Sequence, residues 1–138
     1  MMIDYRTTVD VQVRFSDTDA LGHVNNMVYL SYLELARIEY LKRVFGAVET
    51  RDFGVIIARV EIDYRSPAFH YETLVVGIRA LELGGASMKL DYRVEEKKTG
   101  RLVAEAKTVM VSYDYRANQV KRWPDDVREK VEAYDGIA

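Results

Sequence analysis

The sequence predicts an α+β domain in which an antiparallel sheet of about five strands wraps round one long buried helix. Three observations predict it. Alternation of apolar and polar residues with a period of two recurs along the chain. One stretch with helical periodicity, Tyr29 to Val44, interrupts that order early. Short glycine-bearing turns join the later strand patterns directly, which antiparallel neighbours allow and parallel ones do not.

Val9, Val11, Val13 and Phe15 alternate with Asp10, Gln12 and Arg14, the pattern of a half-buried strand. In the helical stretch, Tyr29, Leu33, Ala36, Tyr40 and Val44 fall on one face. Leu30, Leu35 and Leu41 lie off that stripe, which predicts a helix buried on more than one side. Asn25 or Asn26 is expected to cap its start and Gly46 to end it. Glu39 and Arg43 have the spacing of an i,i+4 ion pair. Ala58, Val60, Ile62 and Tyr64 alternate with Arg59, Glu61, Asp63 and Arg65, a second strand that Ser66-Pro67 ends. Leu74 to Leu83 and Leu102 to Tyr115 are β-like without strict alternation, as strands contacted on both faces are. Between them, Met88, Leu90, Tyr92 and Val94 alternate with charged residues. Gly84-Gly85 predicts a tight hairpin and Lys97-Lys98-Thr99-Gly100 a longer one, so these three strands form a meander. Pro124 and the acidic residues after it predict a brief terminal helix over 125–134.

At 138 residues the chain is expected to be one domain, 1–138. Its hydrophobic share, 49%, is enough to build a core, which argues against disorder. A net charge of -2 gives no electrostatic basis for binding nucleic acid. The absence of cysteine excludes disulfides, thiolate metal sites and cysteine nucleophiles. No apolar run reaches the roughly 18 residues of a membrane span. Met1 to Arg6 lacks a signal-peptide core, so a cytoplasmic protein is expected.

Chemistry concentrates in Asp17-Thr18-Asp19-Ala20-Leu21-Gly22-His23-Val24-Asn25-Asn26, between the first strand and the helix. Polar side chains on a loop held by rigid elements are placed as a site requires. The helix start beyond them offers free N–H donors and positive potential. Asp19 can also be read as an Asx-turn residue, and Asp17, beside the strand end, as structural. Tyr29, Tyr32, Leu33 and Ala36 read as core. Arg59, Arg65, Lys89 and Arg93 read as a solvated sheet face. His23 and His70 lie far apart without a ligand-spaced set, so no metal is expected.

The segment Phe15-Ser16-Asp17-Thr18-Asp19-Ala20-Leu21-Gly22-His23-Val24-Asn25-Asn26-Met27-Val28-Tyr29 resembles the signature of hot-dog-fold acyl thioesterases. The nearest type is the Asp-loop kind of the 4-hydroxybenzoyl-CoA thioesterase family. Its His-Val-Asn-Asn part is similar to the acyl-CoA and acyl-carrier-protein thioesterase branches. Ile62-Asp63-Tyr64-Arg65-Ser66-Pro67-Ala68 is similar to the family's second strand and its exit. The resemblance implies a hot-dog fold and hydrolysis of an acyl-CoA thioester to free acid and CoA, without a cofactor. It implies Asp19 as general base or nucleophile, and the Asn26 backbone N–H as the donor that polarises the thioester carbonyl. It implies Gly22 as the residue that lets the loop turn beside the ligand. His23 is a further site candidate, Tyr29 and Tyr32 are candidates for the acyl pocket, and one or two of the four strand cations are candidates for a CoA phosphate. A homodimer or homotetramer with the acyl groove between subunits is also implied. Two departures stand out. Leu21 occupies the position where plant acyl-carrier-protein thioesterases carry an Asn, and Tyr71-Glu72 replaces a frequent Gly-Asp. The helix carboxylates Glu34 and Glu39 lack the rest of the pattern of the glutamate-type hot-dog enzymes, and the dehydratase loop is absent. An acyl-carrier-protein thioesterase and a non-catalytic acyl-thioester binding module are the alternatives.

Overall fold

The computed structural model describes residues 2–46 and 54–137. In chain order its elements are β1 (Thr7–Gln12), α1 (Tyr29–Phe45), β2 (Val55–Tyr64), β3 (Thr73–Leu83), β4 (Ser87–Glu96), β5 (Leu102–Asp114), β6 (Gln119–Val120) and α2 (Asp125–Asp135). Short 3-10 turns occupy Met2–Asp4 and Phe15–Asp17. The sheet runs in the order β1-β3-β4-β5-β2, every pair antiparallel, and β6 extends β5. This is the expected α+β hot-dog arrangement. β3, β4 and β5 form the expected meander, and β2 returns to the far edge. No helix among the described residues is long and apolar enough to cross a membrane.

Cross-strand register builds the inner face. Ile78, Tyr92, Ala106 and Ile62 stand in one row across β3, β4, β5 and β2, and Ala80, Leu90, Thr108 and Val60 in the next. α1 lies on the β1–β3 half of this face. Its line of closest contact is Leu33, 1% exposed, and Ala36, fully buried. Beyond it, β5 and β2 extend past the helix and leave a groove between α1 and the inner side of β2, lined by residues of both.

That offset corrects the expected burial of the helix on more than one side. Leu41 is buried, but Leu30, Leu35 and Ile38 are exposed and Val44 is only half-buried. One sheet covers one face of a helix, and the apolar residues opposite find no cover among the described residues.

The helix start also differs from expectation. α1 begins at Tyr29, and Val28 ahead of it makes no side-chain cap. Asn25 caps the turn before it: its Oδ1 accepts the Met27 N–H at 2.9 Å and its carbonyl accepts the Val28 N–H at 2.9 Å. Gly46 ends α1 at φ 91°, and Glu39 accepts from Arg43 at 3.1 Å, both as expected.

β1 starts and stops earlier than its alternation suggests, because Phe15 turns away into the 3-10 segment. β2 begins at Val55, and a bulge between Ile57 and Arg59 lets Ala58 slip out of register. The weak alternation of β3 has a cause. Tyr5 and Met2 pack on its outer side over Gly77, where a Cβ would meet the Met2 sulfur at 2.5 Å. The Gly84 N–H donates to the Ser87 carbonyl and closes the β3–β4 hairpin. The indole of Trp123 donates to the same carbonyl at 2.9 Å and ties the start of α2 to it.

Candidate active site

The loop from Thr18 to Val24 is a miniature hairpin. Thr18 and Val24 form an antiparallel bridge, the Asp19 N–H donates to the His23 carbonyl at 3.0 Å, and the Asn25 N–H donates to the Asp17 carbonyl at 2.9 Å. Gly22 closes the turn at φ +88°. A Cβ there meets nothing within 4 Å, so the glycine is required by the backbone conformation rather than by crowding.

Asp17 and Asp19 have different environments. Asp17 is 3% exposed. It accepts the Arg14 N–H at 3.0 Å, the Arg14 guanidinium at 3.0 and 3.3 Å, and the Tyr32 hydroxyl at 2.8 Å. Burial pushes its pKa up, but these bonds outweigh burial and hold it below the usual carboxylate range. Stability from this group is therefore present above the unfolded carboxylate pKa and is lost as pH falls through the lower folded value. Asp17→Asn is expected to flatten the acid limb of the stability–pH curve and to cost about 1–3 kcal/mol at neutral pH. Urea unfolding from pH 3 to 7 checks both, and an unchanged acid limb would assign the acid sensitivity to other carboxylates. Tyr32 is thus placed under the loop as the partner of Asp17, away from the cleft.

Asp19 is half-exposed, and its Oδ1 accepts the Leu21 N–H at 2.9 Å, an Asx turn. Its carboxylate takes no other hydrogen bond among the described residues. The turn therefore orients the carboxylate without consuming it.

The loop is docked from outside by the chain between β2 and β3. The Val24 N–H donates to the Ala68 carbonyl at 2.9 Å. Arg101, just before β5, fixes that segment: its guanidinium donates to both Glu72 oxygens and to the Pro67 carbonyl, each at 2.9 Å, and to Ser66 Oγ at 3.1 Å. Glu72 is buried and also accepts the Phe69 N–H. The departure Tyr71-Glu72 thus carries a buried, fully bonded carboxylate.

A cleft of about 300 Å³ opens beside the helix start, lined by His23, Asn26 and Tyr29 together with Tyr64, Arg65 and Pro67. Three of the six site residues expected from sequence meet here. Asp19 and Gly22 lie on the adjoining hairpin. Of the four strand cations, only Arg65 borders the cleft. Tyr64 reads in the sequence as an ordinary strand residue, yet its hydroxyl donates to the Asn26 carbonyl at 2.8 Å and ties β2 to the helix start. Its ring meets that of Tyr29 edge-on at 5.3 Å, and burial pushes the Tyr29 hydroxyl up to about 12. The Asn26 N–H has no acceptor among the described residues. A free N–H in the turn before α1, a carboxylate on the adjoining hairpin and a cleft beside them can together stabilise an oxyanion and activate a nucleophile. Among the described residues no group of three or more His, Asp or Glu side chains is placed to hold a metal.

A family model described as the thioesterase-like superfamily matches residues 13–131. The crystal structure of a thioesterase from Thermus thermophilus, complexed with coenzyme A and zinc, superposes with a TM-score of 0.89 at 34% identity over 99% of this chain and 100% of that one. The long-chain acyl-CoA thioesterase FadM of Escherichia coli is 28% identical, over 88% of this chain and 94% of its own. A 1,4-dihydroxy-2-naphthoyl-CoA hydrolase of Gloeothece citriformis is 31% identical, over 91% of this chain and 87% of its own.

Proposed function

The chain belongs to the thioesterase-like superfamily, and from that premise we propose that it hydrolyses the thioester of an acyl-coenzyme A to a carboxylic acid and coenzyme A. The observation that carries the reading to this site is the unpartnered Asn26 N–H beside the cleft, one hairpin from Asp19. The thioester carbonyl oxygen accepts that N–H, and negative charge gathers there as the carbon becomes tetrahedral. The Asp19 carboxylate takes a proton from water as the water attacks, or attacks the carbon itself to give a mixed anhydride that water then opens. In either route the carbon–sulfur bond breaks and the thiolate of coenzyme A leaves and takes up a proton. His23 and Tyr29 border the bound thioester, Gly22 shapes the turn, and Arg65 is the basic residue nearest to hand for a phosphate. An acyl-CoA substrate also fits the cytoplasmic location expected from the sequence. Release of free thiol from a panel of acyl-CoA esters, run beside the same acyl groups on a carrier protein, tests the reading. No turnover of any thioester would overturn it.

The groove is closed by a second copy of the chain. β2 is an edge strand, and Val60 and Tyr64 on it, with Leu30, Leu35 and Ile38 on α1, leave apolar surface uncovered. Light scattering at micromolar concentration is expected to give a dimer or a tetramer. A monomer of 15.9 kDa would count against this.

A further inference from the structure

A second cavity, of about 180 Å³, lies farther along the groove between α1 and β2. Ile38 and Leu41 of α1, Ile57 of β2 and Met110 of β5 make it apolar, but Glu34 and Arg37 put two charged side chains on its helix wall. Arg37 is half-buried. Its Nη1 donates to the Tyr92 hydroxyl at 3.2 Å, and that hydroxyl is 2.7 Å from Thr108 Oγ1, a buried neutral pair that fixes the guanidinium from below. Among the described residues, the other N–H groups of Arg37 have no acceptor and no carboxylate forms an ion pair with it. The remaining N–H groups of this half-buried guanidinium are therefore free to donate to a ligand in the cavity. Glu34, one turn earlier on the same wall, supplies the complementary acceptor. A donor and an acceptor on the wall of an otherwise apolar cavity match a hydroxyl, which both gives and takes a hydrogen bond. A carboxylate there would face Glu34. Arg37 lies about 12 Å along the helix axis from Tyr29, at 1.5 Å per residue.

We infer that this cavity receives the far end of the acyl group, and that Arg37 with Glu34 selects medium-length acyl chains bearing a terminal hydroxyl over plain alkyl chains. The inference rests on the thioesterase reading and names its substrate class. The experiment measures kcat/KM for matched pairs, octanoyl-, decanoyl- and dodecanoyl-CoA against their ω-hydroxy forms, with the ω-carboxy forms as a third arm. Wild type is expected to favour the ω-hydroxy ester by about tenfold at one of these lengths, the worth of one charge-assisted hydrogen bond. Arg37→Met keeps an unbranched apolar stem, and its ratio is expected to fall to about one. Equal rates within every wild-type pair, or fastest turnover of an ω-carboxy ester, would overturn the inference while leaving thioester hydrolysis standing. A ratio unchanged in Arg37→Met would overturn the role of Arg37. No hydrolysis of any ester would overturn the thioesterase reading and this inference with it.

Discussion

Asp19→Asn is expected to lower kcat on a good acyl-CoA substrate by at least about a hundredfold with little change in melting temperature. General-base assistance is worth roughly 10²–10⁴-fold, about 3–5.5 kcal/mol of barrier, and the amide has none of the basicity that this requires. The substitution is isosteric, and the amide oxygen can still accept the Leu21 N–H, so the Asx turn and the hairpin it organises survive. The Asn26 N–H is untouched, so acyl-CoA binding is retained. Asp17→Asn provides the contrast, because Asp17 is bonded to Arg14 and Tyr32 beneath the loop. Its damage is expected in stability and KM, with a smaller loss in kcat. Steady-state kinetics and a melting curve for each variant separate the two carboxylates. An Asp19→Asn enzyme with near wild-type kcat would remove Asp19 from the chemistry and bring the binding-module alternative forward.

Leu33→Asp is expected to unfold the domain or to cost several kcal/mol. Leu33 is 1% exposed where α1 meets β1 and β3, so the change removes a buried aliphatic side chain worth about 1.5–3 kcal/mol. It also places a carboxylate in the apolar core, and burying an unpaired polar group costs about as much again or more. Against a domain stability of roughly 5–15 kcal/mol, the sum leaves little. Circular dichroism melting measures it. The control is Leu35→Asp, on the outer face of the helix at 50% exposure, which is expected to leave the melting of a single chain almost unchanged and to act on assembly instead. A melt barely moved by Leu33→Asp would remove that stripe from the core.

What the sequence revealed and what it concealed divide along the range of the interactions. Strands, turns and the helix are set by neighbours a few residues apart, so Val9 to Val13, Met88 to Val94 and Tyr29 to Tyr40 could be read from their periods. The loop could be read because its residues are contiguous. The position of α1 over half of the sheet could not, since no local pattern records where β2 returns. Leu30 and Leu35 therefore looked like a second buried side. Tyr64 carries no local sign of its bond to the Asn26 carbonyl, 38 residues away. Glu72 and Arg101 are each unremarkable in sequence and acquire their meaning only as a pair across 29 residues. Asn25 was legible as a cap because capping is local, and the structure moves its effect by one turn only.

The Glu72–Arg101 pair has a consequence for exchanging parts among relatives. The Thr18–Val24 hairpin looks like a cassette, short and contiguous, with strand before it and helix after it. Its resting place is nonetheless set from elsewhere in the chain, since Val24 docks on Ala68 in the segment that Arg101 clamps. A hairpin grafted from a relative with a different residue at 72 or 101 arrives on a shelf of another shape, and the carboxylate it carries misses the helix start. Successful transplants are those that move the hairpin, the 66–72 segment and residue 101 together.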